Sequence, residues 1–198
     1  DPRRRHLPRP FQPLLSRLPC QVRTVRPRTM QSRLTENLAA SQADDFVARM
    51  TAELQRRGVH VLRIQFAADF FDADYARKWA SIARRCPWTT FYAYTRSWRI
   101  PTIVPALEQL ARLPNLRLWY SGDLETGQPP GPSHLAGVRT ALVHTDRNDQ
   151  PTGDLILRGR PLRGLSSRRP SLYVVSPTEA AVPRRPELTC TSCRLCHR

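Results

Sequence analysis

Residues 61–98, VLRIQFAADFFDADYARKWASIARRCPWTTFYAYTRSW, constrain the fold more than any other stretch, because they hold a complete strand, helix, strand unit with polar groups at both strand ends. Val61, Leu62, Ile64 and Phe66 form a short apolar run that stops at Asp69, and Asp72 stands where a helix N-cap belongs. Tyr75, Trp79 and Ile82 follow at i, i+4 and i+7, one face of a helix. Cys86-Pro87 ends that helix, and Phe91 to Tyr94 make a second β-rich run that leaves through Thr95, Arg96, Ser97 and Trp98. Such a unit is buried on both faces, which makes the expected fold class α/β.

The flanking sequence extends the same plan. Ser41 followed by Asp44 has the form of a capping box, with Phe46, Val47, Met50 and Leu54 on one face of the helix it would start and Gly58 as its stop. A further helix is expected over residues 102–113, with Pro114-Asn115 ending it, and Leu116, Leu118 and Trp119 begin a third strand. Val138–Val143, Leu155–Leu157 and Leu172–Val175 are further strand candidates. The strands leave through polar groups: Asp69, then Thr95 and Ser97, then Ser121 and Asp123, then His144 to Asp146, then Ser176 to Glu179. Binding groups of parallel sheets gather at the carboxyl ends of strands. The expected architecture is therefore a partial or complete parallel β/α barrel-like domain, with an irregular Arg/Pro-rich N-terminus and a cysteine-containing C-terminal tail. Its candidate site residues are Asp69, Ser97, Asp123 and Glu179, against the reading that such residues simply cap loops and helices. Three regions follow: an irregular segment over 1–30, with Met30 as an expected start, the β/α domain over 31–180, and the tail over 181–198.

In that tail Cys190, Cys193 and Cys196 form C-x2-C-x2-C. Three thiolates at this spacing can turn inward on one loop to hold a soft metal centre, an iron–sulfur cluster or, with His197, zinc. A fourth ligand would come from Cys20, Cys86, His197 or an external group. The bland alternative is an unligated tail.

The strings DFFDADYARKWASIARRCPWTTFYAYTRSWRIP and NLRLWYSGDLETGQPP resemble the gene product 88 family of phages and bacterial mobile elements, with the specific likeness at Asp69–Gly127. The resemblance implies a small β/α protein with cysteine groups suited to an iron–sulfur cluster, and it favours iron–sulfur over zinc for Cys190, Cys193 and Cys196. It names no reaction. Where the family tends to have His-x-Ser-Gly-Asp, this chain has Gln65-Phe66-Ala67-Ala68-Asp69, and Gly122 and Ser176 stand where similar members have cysteine.

Composition sets the remaining bounds. With 198 residues and 40% apolar content the chain can bury one sizeable core. No apolar run approaches the roughly 18 to 20 residues of a spanning helix, so no membrane partner is expected and a cytoplasmic setting is the default. The net charge of +16 makes nucleic acid a candidate partner, yet much of it lies outside the central region, which carries only +4 over residues 31–145. Lys78 is the sole lysine. Tyr92, Tyr94, Trp98 and Trp119 are candidates for base stacking or for core. Phosphate-loop, dinucleotide, zinc-protease and serine-hydrolase motifs are absent from the sequence. The rival readings are a non-catalytic, zinc-stabilised nucleic-acid-binding protein and a decayed copy that keeps the fold without metal.

Overall fold

The expected strand, helix, strand unit forms, and the chain on either side is built onto it. The structure, a computed structural model, describes residues 27–65, 68–130, 137–144, 153–158 and 174–175. In chain order its elements are α1 (Pro27–Gln42), α2 (Phe46–Arg57), β1 (Val61–Arg63), α3 (Ala73–Arg85), β2 (Thr90–Thr95), a short 3-10 turn (Ser97–Arg99), α4 (Val104–Ala111), β3 (Leu116–Gly122), β4 (Val138–His144), β5 (Leu155–Arg158) and β6 (Val174–Val175).

All neighbouring strands are parallel and lie in sequence order, β1-β2-β3-β4-β5-β6. Stepping always in the same direction, with crossovers of one hand, places the connecting helices on one face and curls the sheet toward the other. Five strands and a two-residue sixth thus make a partial β/α barrel. Register fixes which side chain faces which way. Phe91 pairs with Leu116 and Ala93 with Leu118, and all four are buried against the helices with Trp79, Ile82, Leu107 and Leu110. The alternate positions Tyr92, Tyr94, Trp119, Ala141 and Leu155 face inward, where Trp119, Ala141 and Leu155 form a second, smaller core.

Helix α3 follows its sequence signals closely. The Asp72 carboxylate accepts from the Tyr75 amide at 2.7 Å as an N-cap, while Trp79, Ile82 and three alanines bury one face. Gly58 closes α2 at φ +59°, the left-handed conformation that glycine adopts without a Cβ penalty. The capping box expected at Ser41 does not form. Ser41 ends the preceding helix instead, its hydroxyl donating back to the Leu38 carbonyl at 2.7 Å, and Asp45 occupies the N-cap position of α2 without a side-chain bond. Helical structure also begins earlier than expected, since residues 27–30 open α1. Residues 1–26 of the segment read as irregular lie outside the described residues, as does most of the tail.

Two polar side chains fasten the layers. The sole lysine, Lys78 on α3, points its ammonium at the carbonyls of Ser41, Gln42 and Ala43 at 3.1, 3.2 and 3.3 Å, capping the end of α1 with a compact three-donor group. At the opposite end of α3, the Asn115 amide lies 3.0 to 3.1 Å from the carbonyls of Ala83, Cys86 and Thr89, so one side chain joins the end of α3, the loop into β2 and the start of β3. Removing Asn115 strands those carbonyls. Asn115→Ala is expected to destabilise the domain by about 2 kcal/mol in urea unfolding. Lys78→Met is expected to cost about 1 kcal/mol, with the loss concentrated in amide protection of α1.

Candidate functional site

Three of the sequence-predicted site residues converge at the carboxyl ends of β1, β2 and β3. Asp69 leaves the end of the first strand and brackets the second: its Oδ1 accepts from the Phe70 amide at 2.7 Å and the Thr95 hydroxyl at 2.6 Å, and its Oδ2 from the Arg96 amide at 2.6 Å. One of those donors is local and two belong to the next strand, so Asp69 is more than a loop cap. The Ser97 amide donates to the Thr95 hydroxyl at 3.0 Å, and the Ser97 hydroxyl donates to the Phe70 carbonyl at 2.6 Å. That hydroxyl is buried with its proton engaged, an arrangement that holds two loops together and does not prime a nucleophile.

Arg96 extends the group to β3. Its Nη2 donates to Asp123 Oδ2 at 2.8 Å, with both side chains about three-quarters buried. Asp123 turns its other oxygen onto the loop that follows, accepting from the amides of Glu125 and Thr126 and from the Thr126 hydroxyl at 3.1, 2.8 and 2.8 Å. The Trp98 indole donates to the Ser121 carbonyl at 3.0 Å and the Ser121 hydroxyl to the Thr95 carbonyl at 3.2 Å, closing the seam between the β2 and β3 exits.

The two carboxyls are driven in opposite directions. Burial raises Asp69 above its ordinary value, and the Thr95 hydroxyl with the Arg96 and Phe70 amides pulls against that without cancelling it. Burial also works against Asp123, but the amide and hydroxyl of Thr126, the Arg96 guanidinium and the Glu125 amide outweigh it and hold that carboxyl below its ordinary value. The arrangement can therefore keep one ionised carboxylate at a guanidinium and one carboxyl that retains a proton more readily, linked through Arg96 across the second strand exit.

Thr95 and Arg96 stand in the sequence as polar groups at the second strand exit, though Ser97 alone of that run is a site candidate; Gln65 carries a different signal. It is buried at the end of β1, and among the described residues neither of its amide atoms meets a partner at full hydrogen-bond geometry, nor does the neighbouring Trp79 Nε1. The Tyr75 hydroxyl, raised above its ordinary value by burial, lies beside both. This is a polar space of the kind that a bound water satisfies.

Other candidates fall elsewhere. Glu179, Cys190, Cys193, Cys196 and His197 lie outside the described residues, as does Asp146, and only the backbone of His144 is described, in β4. Among the described residues no group of three His, Cys, Asp or Glu side chains is placed to hold a metal. Cys86 is fully buried in the helix-side core with its thiol raised by burial, while the tail cysteines it was considered alongside lie outside the described residues. The stacking candidates are largely core: Tyr94 stacks on Trp119 at 5.9 Å and Trp98 on Tyr120 at 6.5 Å, while Tyr92 and Trp119 are buried. At Gly122 a Cβ would meet the Gly127 carbonyl at 2.2 Å. The loop closed by Asp123 and Gly127 has taken the space that a cysteine would need there.

A family model described as gene product 88 matches residues 20–198, and the chain belongs to that family. Among curated proteins and solved structures no match reaches significance. No helix among the described residues is long and apolar enough to cross a membrane.

The carboxyl shifts give signed expectations. The stabilisation from Asp123 is full above its ordinary value of 3.8 and is lost as pH falls through the lowered native value. Asp123→Asn should therefore lower stability at neutral pH, with the gap to wild type closing in acid. Asp69 runs the other way, because a raised native value makes its contribution decline as pH rises from 3.8 through that value. Asp69→Ala should cost about 3 kcal/mol by leaving the Thr95 hydroxyl and two amides unpaired, without changing the helical circular dichroism of α2 and α3.

Proposed function

We propose that this gene product 88 protein binds its ligand at the carboxyl ends of β1 to β3, and that Cys190, Cys193 and Cys196 hold an iron–sulfur cluster serving that same end of the barrel. The observation that carries the reading is the convergence of Asp69, Arg96 and Asp123 from three consecutive strand exits into one hydrogen-bonded group, at the end where parallel β/α folds place their sites. A carboxyl shifted up beside one shifted down is the pairing expected where protons are handled during binding or reaction. The C-x2-C-x2-C spacing supplies three soft donors on one short segment. The fourth position falls to Cys20, Cys86, His197 or an outside group.

The chain's own residues would do the rest. Arg96, held in place by Asp123, presents its remaining guanidinium nitrogens at the strand exits to an anionic group of the ligand. Asp69 fixes the Arg96 backbone, so the charge does not wander. A bound cluster would supply electron transfer or an open iron site, and the substrate class is left to the chemistry found there.

Protein purified without oxygen is expected to show broad visible absorption with iron and sulfide present, and Cys193→Ser is expected to lose both while keeping its secondary structure. Asp69→Asn and Asp123→Asn should shift the midpoint potential or the paramagnetic spectrum of the reduced cluster, because a nearby carboxylate's charge is felt there. Equal, negligible iron in wild type and Cys193→Ser would remove the cluster; an unchanged spectrum in both carboxylate variants would remove it from this end. Stoichiometric zinc without a visible band would favour the zinc-stabilised rival.

A further inference from the structure

The end of the barrel opposite the strand exits has its own chemistry. Because α2, α3 and α4 all run back toward the starts of the strands, their last turns collect there, and they end in Arg56-Arg57, Arg84-Arg85 and Arg112. Most of the described acids follow the reverse pattern: Asp44, Asp45, Asp69, Asp72, Asp74, Asp123 and Glu125 lie at helix starts or strand exits, while Glu36 lies within α1. At the basic end, Glu53 is engaged by Arg56 and Arg57, Asp154 is taken by the amide and hydroxyl of Thr140 at 2.7 and 3.0 Å, and Glu108, one turn before Arg112 on α4, makes no ion pair among the described residues. Arg84, Arg85 and Arg112 are exposed and make no ion pair among the described residues.

One cation per helix end is the ordinary complement to the helix dipole. Here they sit on a fastened frame. Asn115 ties the start of β3 to the end of α3, Thr89 Oγ1 donates to the Val59 carbonyl at 2.6 Å, and the Thr90 amide donates to the His60 carbonyl at 2.8 Å. These bonds hold the three loops between helix and strand side by side, and Trp88 stands out from the middle one with 44% of its surface exposed.

We propose that this end binds single-stranded nucleic acid, with Arg84, Arg85 and Arg112 on successive phosphates and Trp88 stacked on an unpaired base. Three features select that occupant. The free cations are all arginine, whose planar fork matches phosphate oxygens. One exposed aromatic ring among cations suits a base whose face is open, whereas a duplex keeps its bases stacked. A bilayer surface would call for more apolar side chains to insert, and the other exposed large apolar residues among the described ones, Ile100 and Leu124, lie at the opposite end of the barrel. This surface is independent of the site proposed above.

The test is fluorescence anisotropy of a labelled twenty-nucleotide single strand with the full chain, titrated over a range of salt. One triple variant neutralises the surface, Arg84→Gln with Arg85→Gln and Arg112→Gln; a matched control neutralises Arg33, Arg49 and Arg77, exposed on the helix flanks. Circular dichroism checks that both keep the fold. The surface variant is expected to lower the slope of log affinity against log salt by about 2 and to weaken binding at least tenfold, with little change in the control. Trp88→Leu should weaken binding roughly tenfold with no change in slope. Equal losses in both triple variants would overturn the proposal, because binding would then follow overall charge, and so would no loss in either, because the Arg-rich ends would then be the binding element. Duplex bound as tightly as single strand, or anionic vesicles bound with oligonucleotide ignored, would overturn it too.

Discussion

Parallel pairing in strict sequence order is the constraint from which the rest follows. Each strand can meet its successor in parallel only if the chain returns along the sheet, and from β1 to β2 and from β2 to β3 the returns are made by α3 and α4. All strand exits then share one end and α2, α3 and α4 end at the other, while α1 ends beside the first turns of α3. Chemistry is sorted by that geometry before any side chain acts. Carboxylates that suit helix starts and loop caps accumulate at the exits, and arginines that suit helix ends accumulate opposite.

At the exits the sorting has been fixed by hydrogen bonds that cross between strands. Asp69 joins the first exit to the second, and Arg96 joins the second to Asp123 on the third. None of these bonds belongs to the sheet itself, so the three loops are held by side chains at positions where backbone pairing has run out. That explains how a sheet with a first strand of only three residues can keep a defined mouth. It also explains why Ser97 is buried and engaged: it closes the same bracket from the other side.

Much of this was legible because the central unit obeys local rules. Asp72 before an apolar face, Cys86-Pro87 after it, and β-branched or aromatic runs on either side each named an element that formed. The misreadings have physical reasons. Ser41 and Asp44 have capping-box spacing, but a helix already occupies residues 27–42, and Lys78, distant in sequence, seals its end with three carbonyls. Tyr92 and Trp119 look like stacking residues because strand spacing cannot say which face is covered. Gln65 stayed invisible because an amide short of full hydrogen-bond geometry is a property of packing alone. Glu179 and the three tail cysteines rest on spacing and resemblance, since they lie outside the described residues.

Gly122 shows how tightly the third strand exit is packed. Its missing side chain leaves room for the Gly127 carbonyl, and the Asp123 turn settles into that room. The central claim is that side-chain carboxylates lock the strand exits into one unit. Native-state hydrogen exchange at the amides of Phe70, Arg96 and Thr126 reads it most directly, because each donates to Asp69 or Asp123 and none to the sheet. The account predicts that all three exchange only through openings as costly as those of β2 and β3. Exchange at rates typical of exposed loops would contradict it.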